Sequence, residues 1–317
     1  MKVVCVNIDK IDYDGKLDRS CIPGEVTFYA DSTKTEFMER VKQADIIVTK
    51  EYIVSEEMIM QLPDCVKMIC EAGTGYNNID LEACKKRKIM VCNTPAYSTK
   101  RVAHTAIMLM LMLASSMVKQ IRMMDENDHR NFTQHMMVDH VEINDKVLGI
   151  IGEGNIGKEV EKIAQALDMK MLVYTRTPKK DHDQIHYVSL EELLRYSDFV
   201  SLHCPLTPDT KHIINKDTLS MMKSTAFLIN TSRGALIDEE ALLHALQIKK
   251  IAGAGLDVQE TEPPRENHPF YKMDQVIMTP HMGWRGLETR QRLLQFVSNT
   301  LHAYIEGHPI NVIVNTK

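Results

Sequence analysis

"KVLGIIGEGNIGKEVEKIAQAL", residues 146–167, joins an apolar strand-like run to an amphipathic helix-like run through a glycine-rich turn. The pattern Gly152-x-Gly154-x-x-Gly157 is weak alone, but a strand before it and a helix after it are typical of a dinucleotide-binding unit. Gly152 would allow the tight turn, Gly154 would let a diphosphate approach the backbone, and Gly157 would let helix and strand pack closely. The alternative is a tight strand-to-helix turn that binds no ligand.

The same alternation of strand-like and helix-like runs extends along the whole chain. It predicts an α/β fold in which helices cover parallel sheets. The strand candidates before the glycine turn are 2–8, 45–49, 66–72 and 89–93; those after it are 171–175, 199–204, 226–232, 251–258 and 275–281. Residues 288–307 predict one long helix, followed by an apolar segment at 309–315. A chain of 317 residues suggests about two domains.

The composition excludes several classes of protein. A net charge of −5 gives no indication of nucleic-acid or membrane binding, and seven scattered cysteines without a C-x-x-C pair predict neither a disulfide framework nor a metal site. The amino terminus is too short and too soon polar to be a signal peptide, so we expect a cytoplasmic protein.

The apolar run Val102–Val118 approaches membrane-spanning length but contains His104 and Ser115, so a buried helix is favoured over a membrane span. Its central part, Ile107 to Leu113, is hydrophobic on all faces. This pattern predicts a homodimer that buries it.

The second strand after the glycine turn ends at "VYT", which places Thr175 eighteen residues after Gly157. An acid at this place would bind the ribose hydroxyls of NAD(H). Thr175 carries no negative charge, Arg176 offers a fork of donors suited to a 2′-phosphate, and Thr177 adds a hydroxyl. NADP(H) is therefore favoured, with NAD(H) possible. A solvated arginine at the start of a loop is the alternative interpretation of Arg176.

Three polar residues follow successive strand candidates: Arg233 after "AFLINTS", Glu262 after "GLDVQET" and His281 after "VIMTP". In an open α/β sheet, the carboxyl ends of the strands are where ligands bind. A guanidinium can clamp a carboxylate, an imidazole can supply a proton near neutral pH, and a carboxylate can orient that imidazole. Together they suit hydride transfer to a 2-oxo acid. Taken singly, each has an alternative as a capping arginine, a surface glutamate or a core histidine.

Seven motifs carry a resemblance to a known family. They are "EAGTGYNNID" (71–80), "NTPAYST" (93–99), "GIIGEGNIG" (149–157), "LHCPLTPDTKHIINKDTLSMMK" (202–223), "LINTSRGALIDEEALLHAL" (228–246), "AGLDVQETEPP" (254–264) and "TPHMGW" (279–284). The chain resembles the D-isomer-specific 2-hydroxyacid dehydrogenases over nearly its whole length. "NTPAYST", "YTRT" and "PHMGW" are most similar to the glycerate dehydrogenase and hydroxypyruvate or glyoxylate reductase branch.

The resemblance implies a Rossmann dinucleotide-binding domain, 99–284, inserted into a flavodoxin-like substrate domain made of 1–98 and 285–317. Hinges are expected near Ser98 and Trp284. The implied activity is an NAD(P)-dependent interconversion of a small 2-oxo acid, hydroxypyruvate or glyoxylate-like, and its D-2-hydroxy acid.

The resemblance also implies roles for individual residues. Arg233 would bind the substrate carboxylate together with the amides of Thr74 and Gly75, Glu262 would pair with the histidine, and His281 would donate the proton. Further cofactor-binding residues implied by the motifs are Asn155, Ile156, Cys204, Pro205, Thr210, Thr231, Ser232, Asp257 and Gly283.

Two features depart from the family's pattern. "VAHTA" (102–106) lacks the usual acid or glutamine, and "NFTQHMMVDHVEIND" (131–145) replaces a tryptophan-containing stretch. Both lie away from the expected chemistry but put the details of a dimer contact in doubt. The competing function is a non-catalytic dinucleotide sensor, since Trp284 after the histidine is similar to the C-terminal binding protein co-repressors.

Overall fold

The structure is a computed structural model that describes residues 1–177, 179–182 and 184–315. The described strands, in chain order, are β1 (Lys2–Cys5), β2 (Glu25–Phe28), β3 (Ile46–Thr49), β4 (Met68–Glu71), β5 (Met90–Cys92), β6 (Val147–Ile151), β7 (Lys170–Tyr174), β8 (Ile185–Tyr187), β9 (Phe199–Leu202), β10 (Phe227–Asn230), β11 (Gly253–Leu256), β12 (Val276–Met278) and β13 (Val312–Val314). The described helices are α1 (Lys34–Arg40), α2 (Glu56–Gln61), α3 (Leu81–Arg87), α4 (Thr99–Ala114), α5 (Met117–Asp125), α6 (Arg130–Thr133), α7 (Asn155–Ala166), α8 (Leu190–Tyr196), α9 (Lys216–Met221), α10 (Glu239–Gln247) and α11 (Leu287–Ile305).

The chain forms two compact units. Unit 1 is Met1–Ser98 together with the segment that starts at Trp284, and unit 2 is Thr99–Gly283. The second boundary lies one residue before the position expected from the sequence, so Trp284 belongs to unit 1. Each unit has its own sheet and its own buried apolar clusters.

Unit 1 contains a six-stranded sheet in the order β13-β5-β4-β3-β1-β2. Strands β1 to β5 are parallel and follow the flavodoxin-like order, whereas β13 pairs antiparallel with β5. The central strands β3 and β4 are buried throughout, as expected for apolar strands covered on both faces. Helix α11 adds Leu293, Leu294, Val297 and Leu301 to one apolar cluster of this unit.

Unit 2 contains a seven-stranded parallel sheet in the order β12-β11-β10-β9-β6-β7-β8. This is the doubly wound order, in which the chain reverses direction across the sheet between β6 and β9. The predicted α/β class with parallel sheets is confirmed in both units. Strands β2 and β8, at the sheet edges, were not predicted.

The apolar run after Ser98 is divided between two helices. Ser116 has a left-handed backbone (φ 44°) between α4 and α5, and it ends the helix that the sequence predicts to continue to Val118. Within unit 2, α4 buries Ile107, Leu109, Met110 and Leu113 in a cluster with the sheet and α7. Unit 2 itself thus covers most of Ile107–Leu113, the stretch from which the dimer was predicted. Leu111 is the residue of this stretch that is exposed.

Among the described helices, none is by itself long and apolar enough to cross a membrane. Helices α4 and α5 meet the length and hydropathy requirement only as a pair, and that pair is bent by 62°. All seven cysteines are free thiols.

Candidate active site

The glycine turn after β6 is shaped by close contacts at two of its three glycines. Gly152 has a φ of 96°, and a Cβ there would lie 2.6 Å from the backbone nitrogen of Cys204. A Cβ on Gly157 would lie 2.4 Å from the carbonyl oxygen of Gly152. Both positions therefore need glycine, which explains how β6, the turn and α7 pack so closely.

The space beyond Gly154 is open. A Cβ on Gly154 would meet no described atom within 4 Å, and α7 begins there without a side-chain cap. The first amides of α7, at Asn155 and Ile156, thus face an uncrowded space at the positive end of a helix. These residues fit a diphosphate group, because backbone amides at a helix start bind anions well.

The loop after β7 carries the residues predicted to contact the adenosine ribose. The Thr175 hydroxyl donates to the carbonyl of Thr177 at 2.7 Å, which tightens the turn. Arg176 is exposed, and no hydrogen bond or ion pair joins it to the described residues. Its guanidinium is therefore available to an anion or to solvent.

A charged pair ties this loop to the glycine turn. Lys179 contacts the Glu153 carboxylate, and the Tyr187 hydroxyl donates to the same carboxylate at 2.7 Å. Burial opposes the charge on Glu153, but its hydrogen bonds with Lys179 and Tyr187 hold the pKa of Glu153 below its usual range. This carboxylate inside the glycine motif was not identified from the sequence.

Arg233, Glu262 and His281 follow β10, β11 and β12, which are neighbouring parallel strands. They therefore lie along one edge of the unit 2 sheet. The Arg233 guanidinium donates to the carbonyl of Ser232 at 2.7 Å, which limits its freedom. A Cβ on Gly234 would lie 1.9 Å from the carbonyl carbon of Gln259, so only glycine lets the loop after β10 pack on the loop after β11.

The structure brings Glu262 and His281 into direct contact. His281 Nδ1 lies 2.8 Å from Glu262 Oε2, and both side chains are partly exposed, at 23% and 35%. Because a carboxylate only accepts, Nδ1 carries a hydrogen and donates it to Glu262, and Nε2 makes no hydrogen bond with the described residues. The other carboxylate oxygen of Glu262 accepts from the backbone N–H of Gln259 at 3.1 Å, which fixes its orientation.

Asp257 holds the loop that carries His281. One carboxylate oxygen accepts from the Thr279 hydroxyl at 2.5 Å and from the Met282 amide at 2.9 Å; the other accepts from the Gly283 amide at 2.8 Å. Asp257 is 1% exposed. The sequence indicated a place near the cofactor for Asp257 and Gly283, but not these three bonds. The Asp257 carboxylate thus holds the loop residues on both sides of His281.

The remaining predicted cofactor residues lie in loops after β9 and β10. The Thr210 hydroxyl donates to the carbonyl of Pro205 at 2.7 Å, and the Ser232 hydroxyl donates to the carbonyl of Leu202 at 2.8 Å. The Thr231 hydroxyl is buried without a partner among the described residues. Cys204 lies against Gly152 through its backbone. These loops all border the same sheet edge as the glycine turn.

In unit 1, the loop Gly73–Gly75 follows β4. The carbonyl of Gly73 accepts from the Thr94 amide at 2.9 Å, and the carbonyl of Thr74 accepts from the Asn93 side chain at 2.8 Å. Within the described ranges, the amides of Thr74 and Gly75 donate to no protein acceptor. The carbonyls of Gly73 and Thr74 are thus occupied, whereas the amides of Thr74 and Gly75 are available to a ligand.

Comparisons with known proteins identify the family of this chain. The sequence profile of the family described as D-isomer specific 2-hydroxyacid dehydrogenase, NAD binding domain, matches residues 107–283. The chain is 35% identical to a hydroxypyruvate reductase of Blautia hydrogenotrophica, with 99% of each chain covered. It is 36% identical to a glyoxylate reductase of Korarchaeum cryptofilum, covering 90% of this chain and 87% of the relative.

A solved structure described as an acyclic imino acid reductase in complex with NADPH and D-Arg has a similar fold, with a TM-score of 0.86 and 30% identity. The match covers 99% of this chain and 100% of that chain. The profile spans more than half of the sequence, and the relatives span nearly all of it, so the resemblance predicted from the motifs is confirmed. The chain belongs to the D-isomer specific 2-hydroxyacid dehydrogenase family and is an oxidoreductase that binds a nicotinamide dinucleotide.

Proposed function

We propose that this protein reduces a small 2-oxo acid of the hydroxypyruvate or glyoxylate type to its D-2-hydroxy acid. The observation that carries the proposal is the 2.8 Å pair of His281 and Glu262 at the strand edge that also bears Arg233. The names of the relatives, a hydroxypyruvate reductase and a glyoxylate reductase, support the substrate class.

In this proposal each residue has one task. Arg233 binds the substrate carboxylate through two guanidinium N–H groups, which orients the carbonyl. The imidazolium form of His281 delivers its Nε2 proton to the carbonyl oxygen as that oxygen becomes a hydroxyl, and the Nδ1–H stays bonded to Glu262, which holds the ring in the orientation this needs. A bound reduced nicotinamide dinucleotide supplies the hydride that the carbonyl carbon receives.

The loop Gly73–Gly75 is the proposed second contact of the carboxylate. Asn93 and Thr94 hold the carbonyls of Gly73 and Thr74, so these oxygens are turned to the protein. The amides of Thr74 and Gly75 would then donate to the substrate carboxylate. Backbone amides held by neighbouring bonds lose little entropy when they bind an anion.

We propose NADP(H) as the preferred cofactor. The amides of Asn155 and Ile156 would bind the diphosphate, and Arg176 would bind the 2′-phosphate. The support is that Arg176 is exposed and has no hydrogen-bond or ion-pair partner among the described residues, while Thr175 and Thr177 bring no negative charge to repel a phosphate.

The test is a screen of hydroxypyruvate, glyoxylate and pyruvate with NADPH and with NADH, following absorbance and the chirality of the product. His281→Asn should lower kcat by about 10²–10⁴-fold and leave cofactor binding nearly intact. A protein that binds a dinucleotide but turns over none of these acids would instead be a sensor of the co-repressor type.

We propose a homodimer formed through unit 2. Apolar side chains stay exposed on α4, α5 and the segment after them: Leu111, Met117, Ile121, Met124, Phe132 and Met136. An exposed apolar surface of this kind is typical of a protein interface. Sedimentation at micromolar concentration should give the mass of two chains, and a stable monomer would contradict the proposal. The cytoplasmic location stays a prediction.

A further inference from the structure

Lys50 is a buried ammonium that the sequence motifs leave without a role. It directly follows β3 in unit 1, and only 3% of the residue is exposed. The Asn7 side chain holds its backbone in both directions, donating to the Lys50 carbonyl at 2.6 Å and accepting from the Lys50 amide at 3.0 Å. Because a buried ammonium is costly, such a residue needs compensating contacts.

Two contacts compensate this charge. Lys50 Nζ lies 2.7 Å from Glu51 Oε1 and 4.1 Å from the centre of the Trp284 ring. Burial opposes the charge, but Tyr97, Glu51 and Glu71 outweigh it and raise the pKa of Lys50 above its usual range. The group is therefore a cation at neutral pH. Among the described residues, Glu51 is the one hydrogen-bond acceptor for the three N–H groups of the Lys50 ammonium.

The ammonium lies directly against the loop Gly73–Gly75. A Cβ on Gly73 would lie 3.3 Å from Lys50 Nζ and 3.1 Å from Glu71 Oε1, so a glycine is what lets the loop approach this closely. The Glu71 carboxylate also lies against this loop, but its oxygens accept from Thr49, Asn78 and the Glu51 amide. The positive charge of Lys50 thus stands beside Gly73, the first residue of a loop in which the amides of Thr74 and Gly75 donate to no described residue.

We propose that Lys50 is a substrate-recognition residue, whose ammonium attracts the carboxylate of a 2-oxo acid to the Gly73–Gly75 loop. This inference rests on the proposed function of that loop. Without Lys50, the loop Gly73–Gly75 would offer the substrate carboxylate neutral backbone amides, and Arg233 would supply the positive charge alone. Lys50 adds a second, desolvated positive charge. Charge-assisted hydrogen bonds are stronger than neutral ones.

Glu51 acts in the opposite sense. Its side chain is 46% exposed, and its carboxylate forms an ion pair with the same ammonium that the substrate carboxylate would contact. The two residues are neighbours in sequence, yet they should have opposite effects on substrate affinity. A salt bridge that only stabilises the fold would not behave in this way, because removing either partner would then act alike.

The test compares Lys50→Met, Lys50→Arg and Glu51→Gln in the full-length protein. Lys50→Met should raise the KM of the best 2-oxo acid and the Ki of oxamate by about 10- to 100-fold, with kcat and NADPH affinity changed little. Lys50→Arg should recover part of this loss. Glu51→Gln should lower KM by about 2- to 5-fold, since solvent screens the half-exposed Glu51 carboxylate and weakens its competition for the ammonium.

Lys34→Met is the matched control, because it breaks an exposed ion pair with Glu57 in the same unit and should leave KM unchanged. The proposal is overturned if Lys50→Met keeps the wild-type KM, or if Glu51→Gln raises KM. Glu51→Gln carries the test even if Lys50→Met fails to fold. Wild type that reduces no 2-oxo acid would instead refute the proposed function itself.

Discussion

The replacement of Asp257 by asparagine tests how His281 is held. Asparagine has the shape of aspartate, so the change removes charge and one acceptor without leaving a cavity. The asparagine side-chain oxygen can still accept from Thr279 and Met282. Its NH₂ group would then replace the oxygen that accepts from the Gly283 amide, so two donors would face each other. His281 itself has a left-handed backbone, with φ at 49°, which a non-glycine residue adopts only when its surroundings hold it.

The expected cost follows from these bonds. Two charge-assisted bonds become neutral, each losing about 1 kcal/mol, and one buried amide loses its acceptor at about 1–3 kcal/mol. The sum is about 3–5 kcal/mol, and its lower end corresponds to a fall of about 10²-fold in the population that holds His281 against Glu262. We therefore expect kcat to fall by about 10²-fold.

The assay is kcat at saturating cofactor and substrate, with cofactor affinity from fluorescence and folding from urea denaturation. Thr279→Val is the control: it removes one donor and leaves the charge, so it should cost about 1 kcal/mol, or about 5-fold in kcat. An Asp257→Asn protein with wild-type kcat would refute this account of the loop. A change confined to cofactor affinity would place Asp257 at the cofactor instead.

Three further changes test other parts of the molecule. Arg233→Lys keeps the charge but loses the planar fork, so KM for the 2-oxo acid should rise and kcat should fall; an unchanged KM in initial-rate kinetics would place Arg233 outside the substrate site. Wild type should prefer NADPH by about 10- to 100-fold in kcat/KM, and Thr175→Asp with Arg176→Ala should reverse this; equal use of both cofactors by both proteins would mean that Arg176 faces solvent. Burial, followed by the neighbouring Glu153, raises the pKa of Glu161 from 4.5 to about 7, so the folded protein binds this proton more tightly than the unfolded chain. The cost of burying the charge is absent below about pH 4.5 and complete above about pH 7, so Glu161→Gln should raise the free energy of unfolding at pH 8 by at most about 3 kcal/mol and change little at pH 4.5; urea denaturation that shows equal effects at the two pH values would contradict this.

The sequence predicts those parts of the fold that depend on local apolar patterns. The central strands β3, β4, β9 and β10 are predominantly apolar, and each was identified. The edge strands β2 and β8 were missed because they are short and partly exposed, so their residues alternate without a strong apolar signal. The break at Ser116 was missed because a serine gives no local signal for a left-handed backbone.

The residues of the candidate site were likewise predicted only in part. Arg233, Glu262 and His281 were predicted because each follows a strand, and parallel strands bring their carboxyl ends to one edge. The supporting contacts were not, since the three bonds of Asp257 and the burial of Lys50 depend on how distant loops pack. A charged residue in a polar loop has the same appearance in the sequence whether it ends in solvent or inside the protein.

Unit 1 is assembled from both ends of the chain, and this has a consequence for biosynthesis. Helix α11 and strand β13 complete its core and its sheet, and Arg290 in α11 binds Asp14 with both terminal guanidinium nitrogens. At about 5–20 residues per second, the ribosome takes roughly 10 to 40 seconds to pass from residue 99 to the last strand. During this interval unit 2, which is continuous in sequence, can fold as it emerges. The first 98 residues meanwhile expose the apolar face that α11 later covers, so we expect this segment to bind chaperones during translation.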